Sequence, residues 1–151
     1  MILKFLHIGV MFGAVALAVG GELILTRVAT TRNVVAIRTA FGRAAPAMRF
    51  IPMLFGLGAL IGVAAALLGE FDPLAPWLIA AYVLFVIAAV VGARAGAWAR
   101  RVGMAAAASP EDAASAELEA AIDDRSATII RYANYVILVV FIYLMVFKPG
   151  A

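Results

Sequence analysis

The side chains able to do chemistry are few and widely separated. His7 is the only histidine of the 151-residue chain, and Met11 stands four positions on, on the same face if the segment is helical. An imidazole beside a thioether can ligate heme iron or copper. With a single histidine, heme would draw its other ligand from a methionine, a partner chain or a water. The plainer alternative is a histidine hydrogen-bonded near a membrane interface, to Tyr82 or Tyr143 at similar depth. A second group is Glu22, Arg94 and Arg131, ionisable residues inside apolar stretches, with Asn134 one turn beyond Arg131 on the same face. Charges at such positions are costly and usually paired or functional. They could form a proton or ion pathway, or a structural ion pair joining three helices, with Glu22 bound to Arg131 or Arg94. His7 and Glu22 would lie about 22 Å apart along one helix at about 1.5 Å per residue, so they belong to different sites.

Other reaction classes find no residues to carry them. The chain lacks cysteine, which removes disulfides, thiolate nucleophiles, iron–sulfur clusters and zinc fingers. Ser109, Ser115 and Ser126 have no histidine near them in the sequence to activate them. No catalytic triad, phosphate-binding Walker loop, HExxH helix or paired-carboxylate motif can be found.

The elements that must position these residues follow from composition. Hydrophobic residues make up 66% of the chain and charged ones only 14%, against about 25% charged in a soluble domain. Mean hydropathy is +1.07. A water-soluble globular enzyme and a disordered tail are both excluded. Crossing a hydrocarbon core of about 30 Å takes roughly 20 helical residues. Four stretches qualify: about Phe5 to Leu25, Phe50 to Gly69, Trp77 to about Ala99, and Ile129 to Phe147. Ala16-Leu17-Ala18 imitates a signal-peptide cleavage site, but the apolar run continues to Leu25, so a retained anchor is expected. The fold class is therefore all-α, a single integral membrane four-helix bundle over residues 1–151.

Charge sets the expected orientation. Arg27, Arg32, Arg38, Arg43 and Arg49 lie between the first two spans without an acid. Arg100, Arg101 and Arg125 lie between the last two, beside six acids from Glu111 to Asp124. The turn Glu70-Phe71-Asp72-Pro73 has no base. Lys/Arg bias governs topology, so both arginine-bearing connections are expected in the cytoplasm. Both termini, with Lys4 and Lys148, are expected outside. The formal charge of +3 then points to lipid rather than nucleic acid as partner, in a bacterial cytoplasmic (inner) membrane. Between Thr30 and Arg49, Val34, Ile37 and Phe41 form one helical stripe. It fits a short helix lying at the headgroups or a basic linker that only enforces topology. Ser109-Pro110-Glu111-Asp112 has the form of a helix start. No glycine or proline follows from Glu111 to Lys148, so one long helix from Glu111 through Phe147 is expected. The alternative is a break near Asp124-Arg125-Ser126 with Ser126 as the cap.

Small residues repeat at helical spacing: Gly9, Gly13, Ala16 and Gly20; Gly58, Gly62 and Ala66; Ala88, Gly92 and Gly96. Helices in lipid associate through such faces, so a compact bundle is expected. After Asn134 the fourth span is bulky, suited to lipid or to a partner. The opening Leu3-Lys4-Phe5-Leu6-His7-Ile8-Gly9 resembles a bacterial family of four-helix integral membrane proteins of unknown function. That family is distantly similar to the copper-resistance D membrane domain and to the heme-pathway protoporphyrinogen oxidase. The resemblance implies a heme-associated histidine in the first helix, which would be His7. In the oxidase a histidine and a lysine follow a Trp-Leu pair in the third helix. Here Trp77-Leu78 leads into Ile79-Ala80-Ala81. The function expected is a non-enzymatic accessory or assembly subunit that meets a larger membrane protein, or a second copy, through its small-residue faces. The alternative is a heme- or copper-handling redox protein centred on His7.

Overall fold

The computed structural model describes residues 1–69 and 72–150; Glu70 and Phe71 of the acidic turn lie outside the described residues. The described residues form five α-helices: α1 (Ile2–Thr30), α2 (Val34–Leu67), α3 (Pro76–Ala108), α4 (Ala116–Ile122) and α5 (Arg125–Phe147). No strand is present among them. α1, α2, α3 and the stretch Ala116–Phe147 are each long and apolar enough to cross a membrane. α1 packs on α2, α2 on α3, α3 on α5, and α4 on α3. The seam between α1 and α5 has little backbone contact and is bridged by side chains.

The turn between α1 and α2 is three residues long. Thr30 and Thr31 hydroxyls donate to the Arg27 and Val28 carbonyls, each at 2.7 Å, satisfying carbonyls that a helix end leaves bare. Arg32 adopts the left-handed conformation, φ 56°, which costs a non-glycine residue roughly 1–2 kcal/mol. Asn33 then caps α2 by accepting from the Ala36 amide at 2.9 Å. The basic segment between the first two spans is accordingly neither a separate surface helix nor a linker. It is the first half of α2, whose 34 residues measure about 51 Å. Pro46 and Pro52 stand inside this helix. Each removes a backbone donor, yet the helix runs through both. The Val34, Ile37 and Phe41 stripe does exist, but it faces protein: the three side chains are buried.

The expected continuous helix from Glu111 to Phe147 is also corrected. Residues 110–115 are non-helical, and Ser115, not Ser109, caps α4 by accepting from the Leu118 amide. Ser109 is buried at the end of α3. Its hydroxyl bonds to the Ala105 carbonyl at 2.8 Å and pairs with the Ser115 hydroxyl at 2.9 Å. A second interruption at Asp123-Asp124 separates α4 from α5. Its cap is Asp124 rather than Ser126: the Asp124 carboxylate accepts from the Ser126 amide at 2.9 Å.

These two departures share a cause. α2 and α3 both run past the spans at the arginine-rich end, and α4 folds against their extensions. Ile37, Val102 and Leu118 are wholly buried there, among Leu25, Phe41, Trp98 and several alanines. A second, smaller cluster of Ala66, Ala75, Trp77 and Leu78 lies at the opposite end. Large apolar side chains along the spans, such as Phe12, Leu60, Val86 and Val139, point outward, as a lipid-facing surface requires.

Candidate functional site

Glu22 sits two turns before the end of α1 and Arg131 in the second turn of α5. Their helices turn these side chains into the α1–α5 seam, where Arg131 Nε lies 3.5 Å from Glu22 Oε1. Each side chain is only 18% exposed. The guanidinium also lies over the Trp98 ring, 5.8 Å from its centroid, a cation–π contact that favours the charge. Trp98 is held in turn by its indole N–H, which donates to the Ala121 carbonyl at 2.9 Å. One chain of contacts therefore runs from α1 through α5 and α3 to α4.

Arg94 does not join this pair. It is exposed, and it lines a separate groove of about 410 Å³ with Ala97, Arg101, Ser126, Ile129 and Ile130. Asn134 is half-buried on α5 and lines neither groove. Thr26 and Tyr135 do belong beside the pair, one turn along α1 and α5 from Glu22 and Arg131. Sequence reasoning passed over both because neither carries charge. The signal available was spacing: Glu22 to Thr26 and Arg131 to Tyr135 are each i, i+4, hence on the same faces.

At the opposite end of the bundle, His7 and Met11 project from α1 into α2. His7 Nδ1 lies 2.7 Å from the Gly58 carbonyl oxygen, so the partner is a backbone carbonyl on α2, not Tyr82 or Tyr143. A carbonyl can only accept, so the Nδ1–H is the donor of this bond. The ring fills the notch at Gly62, where an added Cβ would stand 2.7 Å from His7 Cε1. Met11 fills the next notch, its Sδ 2.5 Å from a Cβ placed on Gly58. The small face of α2 is thus consumed inside the chain. Gly9, Gly13 and Gly20 on α1 and Gly92 on α3 differ, since a Cβ on any of them would meet nothing within 4 Å.

As a heme or copper site, His7 and Met11 fit incompletely. The Nδ1–H to carbonyl bond orients the ring as ligating histidines are oriented, and Nε2 is the nitrogen left to bind. The Met11 sulfur, however, is packed into α2. Among the described residues no three His, Cys, Asp or Glu side chains gather as a metal site.

The arginine-rich end is laced by charge pairs. Arg32 Nη2 donates to both Asp123 oxygens at 2.8 and 2.9 Å. Arg38 donates to the Ala106 and Ser109 carbonyls at 3.2 and 2.7 Å, neutralising the C-terminal end of α3. Arg101 reaches Asp124 at 2.6 Å. The hydrogen bond from the Ser126 hydroxyl and then that from Arg101, with the Ser126 amide and the Arg101 charge adding to them, lower the Asp124 carboxyl from its ordinary 3.8 to about 2.

Fold and site together define a class: an all-α integral membrane four-helix bundle, tied by a half-buried ion pair at one end and a histidine–backbone bond at the other. No family model, curated protein or solved structure matches the chain.

Proposed function

We propose that this chain is a non-enzymatic accessory or assembly subunit of a larger membrane complex, in a bacterial cytoplasmic membrane. Its arginine-rich end would lie in the cytoplasm and both termini outside. The observation that carries the reading is the contrast between glycines. Gly58 and Gly62 receive side chains from α1, whereas Gly9, Gly13, Gly20 and Gly92 face open space. Smooth faces let another helix backbone approach closely, and here the chain's own helices leave them vacant. The orientation draws its support from the arginines, which collect at the end where α1 meets α2 and α3 meets α4.

The test is photo-crosslinking in intact membranes, from a photoreactive residue at Gly13 and another at Gly92. A discrete adduct with one larger membrane protein is expected at both. Lipid adducts alone at both positions would overturn the reading. Cysteines at Ala47 and Asp72 check the orientation separately: an impermeant reagent added outside should label position 72 and spare 47.

A heme- or copper-handling role centred on His7 is supported by the orientation of its ring and by the Leu6-His7 opening. Its test is the visible spectrum and metal content of the purified protein. A Soret band or bound copper lost in His7→Ala would favour this role over the accessory one.

A further inference from the structure

The seam between α1 and α5 holds a groove of about 340 Å³ at the arginine-rich end of the bundle. Thr26, Arg27, Thr30, Arg131, Tyr132 and Tyr135 line it. We propose that this groove binds the phosphate of an anionic phospholipid.

Two hydroxyls of these residues, Thr26 Oγ1 and Tyr135 OH, are buried without a hydrogen-bond partner, whereas Arg131 Nε already faces Glu22 Oε1 at 3.5 Å. Buried polar atoms in folded proteins are nearly always partnered, and two orphan hydroxyls beside one groove ask for a common partner. Both can donate, and the Arg27 guanidinium beside them can only donate, so a partner rich in acceptor oxygens satisfies all of them. Its charge follows from the neighbours. Glu22 offsets Arg131, which leaves Arg27 as the uncompensated charge. Arg27 is exposed in the last turn of α1 and forms no ion pair among the described residues. The site is thus net positive and donor-rich, which selects a phosphate ester over a cation or a neutral amide.

The position selects the source. The groove lies where α1 reaches its end and α5 begins, at the rim where headgroups meet hydrocarbon. Basic pockets between spans at that level suit anionic headgroups. The groove has an apolar wall in Leu23 of α1, and one and two turns beyond Tyr132 on α5 the exposed Val136 and Val139 are apolar too. A lipid places its phosphate on Arg27 and the two hydroxyls while its acyl chains follow that surface. A free phosphate would gain the donors but nothing from the apolar wall.

Native mass spectrometry of the full chain, released from nanodiscs of equal phosphatidylglycerol and phosphatidylcholine, reads this directly. One phosphatidylglycerol should be retained in preference to phosphatidylcholine, whose phosphate is the same but whose trimethylammonium opposes Arg27, by about fivefold, the worth of about 1 kcal/mol per basic residue. Arg27→Ala should remove most of that preference. Thr26→Val combined with Tyr135→Phe, which deletes two hydroxyls at nearly constant volume and guards against misfolding, should lower the retention of phosphatidylglycerol itself severalfold. Arg49→Ala, a basic residue outside the groove, should leave the preference unchanged. Equal retention of the two lipids would overturn the proposal, as would a preference that survives Arg27→Ala or an unchanged retention in the hydroxyl variant. An equal loss in Arg49→Ala would mean only a diffuse positive surface and would also overturn it. Displacement of the lipid by millimolar inorganic phosphate would reassign the groove to the free anion.

Discussion

Glu22 and Arg131 illustrate what a charge inside a bilayer-spanning bundle demands. An arginine costs about 2.5–3.5 kcal/mol at mid-membrane on insertion scales, and less toward the interface where this pair lies. Its carboxylate partner at 3.5 Å and the Trp98 face offset that cost. Removing one member leaves the other uncompensated, which in buried pairs is worth about 3–5 kcal/mol. Glu22→Ala should therefore lower thermal stability in detergent substantially, and Glu22→Ala with Arg131→Met should recover part of the loss. Strictly additive losses across that double-mutant cycle would show the two to be uncoupled. The glycines give a sharper contrast. Gly62→Ala forces its new methyl against the His7 ring and should cost about 1–3 kcal/mol, the usual range for overpacking. Gly13→Ala meets nothing and should leave stability unchanged. Equal effects at the two positions would contradict the seating of His7. At this scale the sequence exposed the charged residues by their rarity. It could not expose Gly58 as the acceptor for His7, because every residue has a carbonyl and only packing selects one.

The elements were legible wherever apolar length decided them. The four spans stand out in the sequence because roughly 20 apolar residues leave no other structure available in lipid. The connections were less legible, for a definite reason. Arginines between the first two spans suggest a boundary, yet an α-helix carries arginines readily once it has left the bilayer, so α2 runs through them and through Pro46 and Pro52. The absence of glycine and proline after Pro110 suggested continuity. The break at Asp123-Asp124 instead comes from tertiary partners, since Arg32 holds Asp123, Arg101 holds Asp124 and Trp98 holds the Ala121 carbonyl. Asp124 yields the prediction for this junction. Asp124→Ala removes a cap worth about 0.5–2 kcal/mol and should speed hydrogen exchange at the Ser126 amide. Asp124→Asn, which keeps an accepting oxygen, should do so less. Because the folded carboxyl is depressed to about 2, its contribution is complete above its ordinary 3.8. It is lost as pH falls through about 2. Exchange at Ser126 should thus show no carboxylate-linked change between pH 7 and 5, and Asp124→Ala should erase the acid-side transition.

Across the whole molecule, the tightest packing lies at one end. The helical extensions and α4 bury Ile37, Val102 and Leu118 completely, outside the stretch that lipid surrounds. In water, apolar burial drives association; between spans it does not, and contact and hydrogen bonding must suffice. The two ends of the bundle therefore rest on different forces. Leu118→Ala should cost about 2–5 kcal/mol, as large-to-small core changes do. The loss should be local. Exchange protection should fall at residues 34–44 and 100–122, while residues 5–20 and 136–147 stay protected. A uniform loss along all helices would contradict this division. It would also show the extensions and the spans to be one cooperative unit.

The left-handed Arg32 has a consequence in time. Its strained backbone is held by Asp123, which lies 91 positions later in the chain. At a synthesis rate of about 5–20 residues per second, the two are made roughly 5–18 s apart. Through that interval α1 and α2 can already be inserted and locked by His7 and Gly58. The turn between them still has a bent main chain and an unanswered guanidinium. The hairpin of α1 and α2 is thus completed by a segment made 91 positions later. A chain stalled before residue 123 should expose that turn to a protease that the finished protein resists.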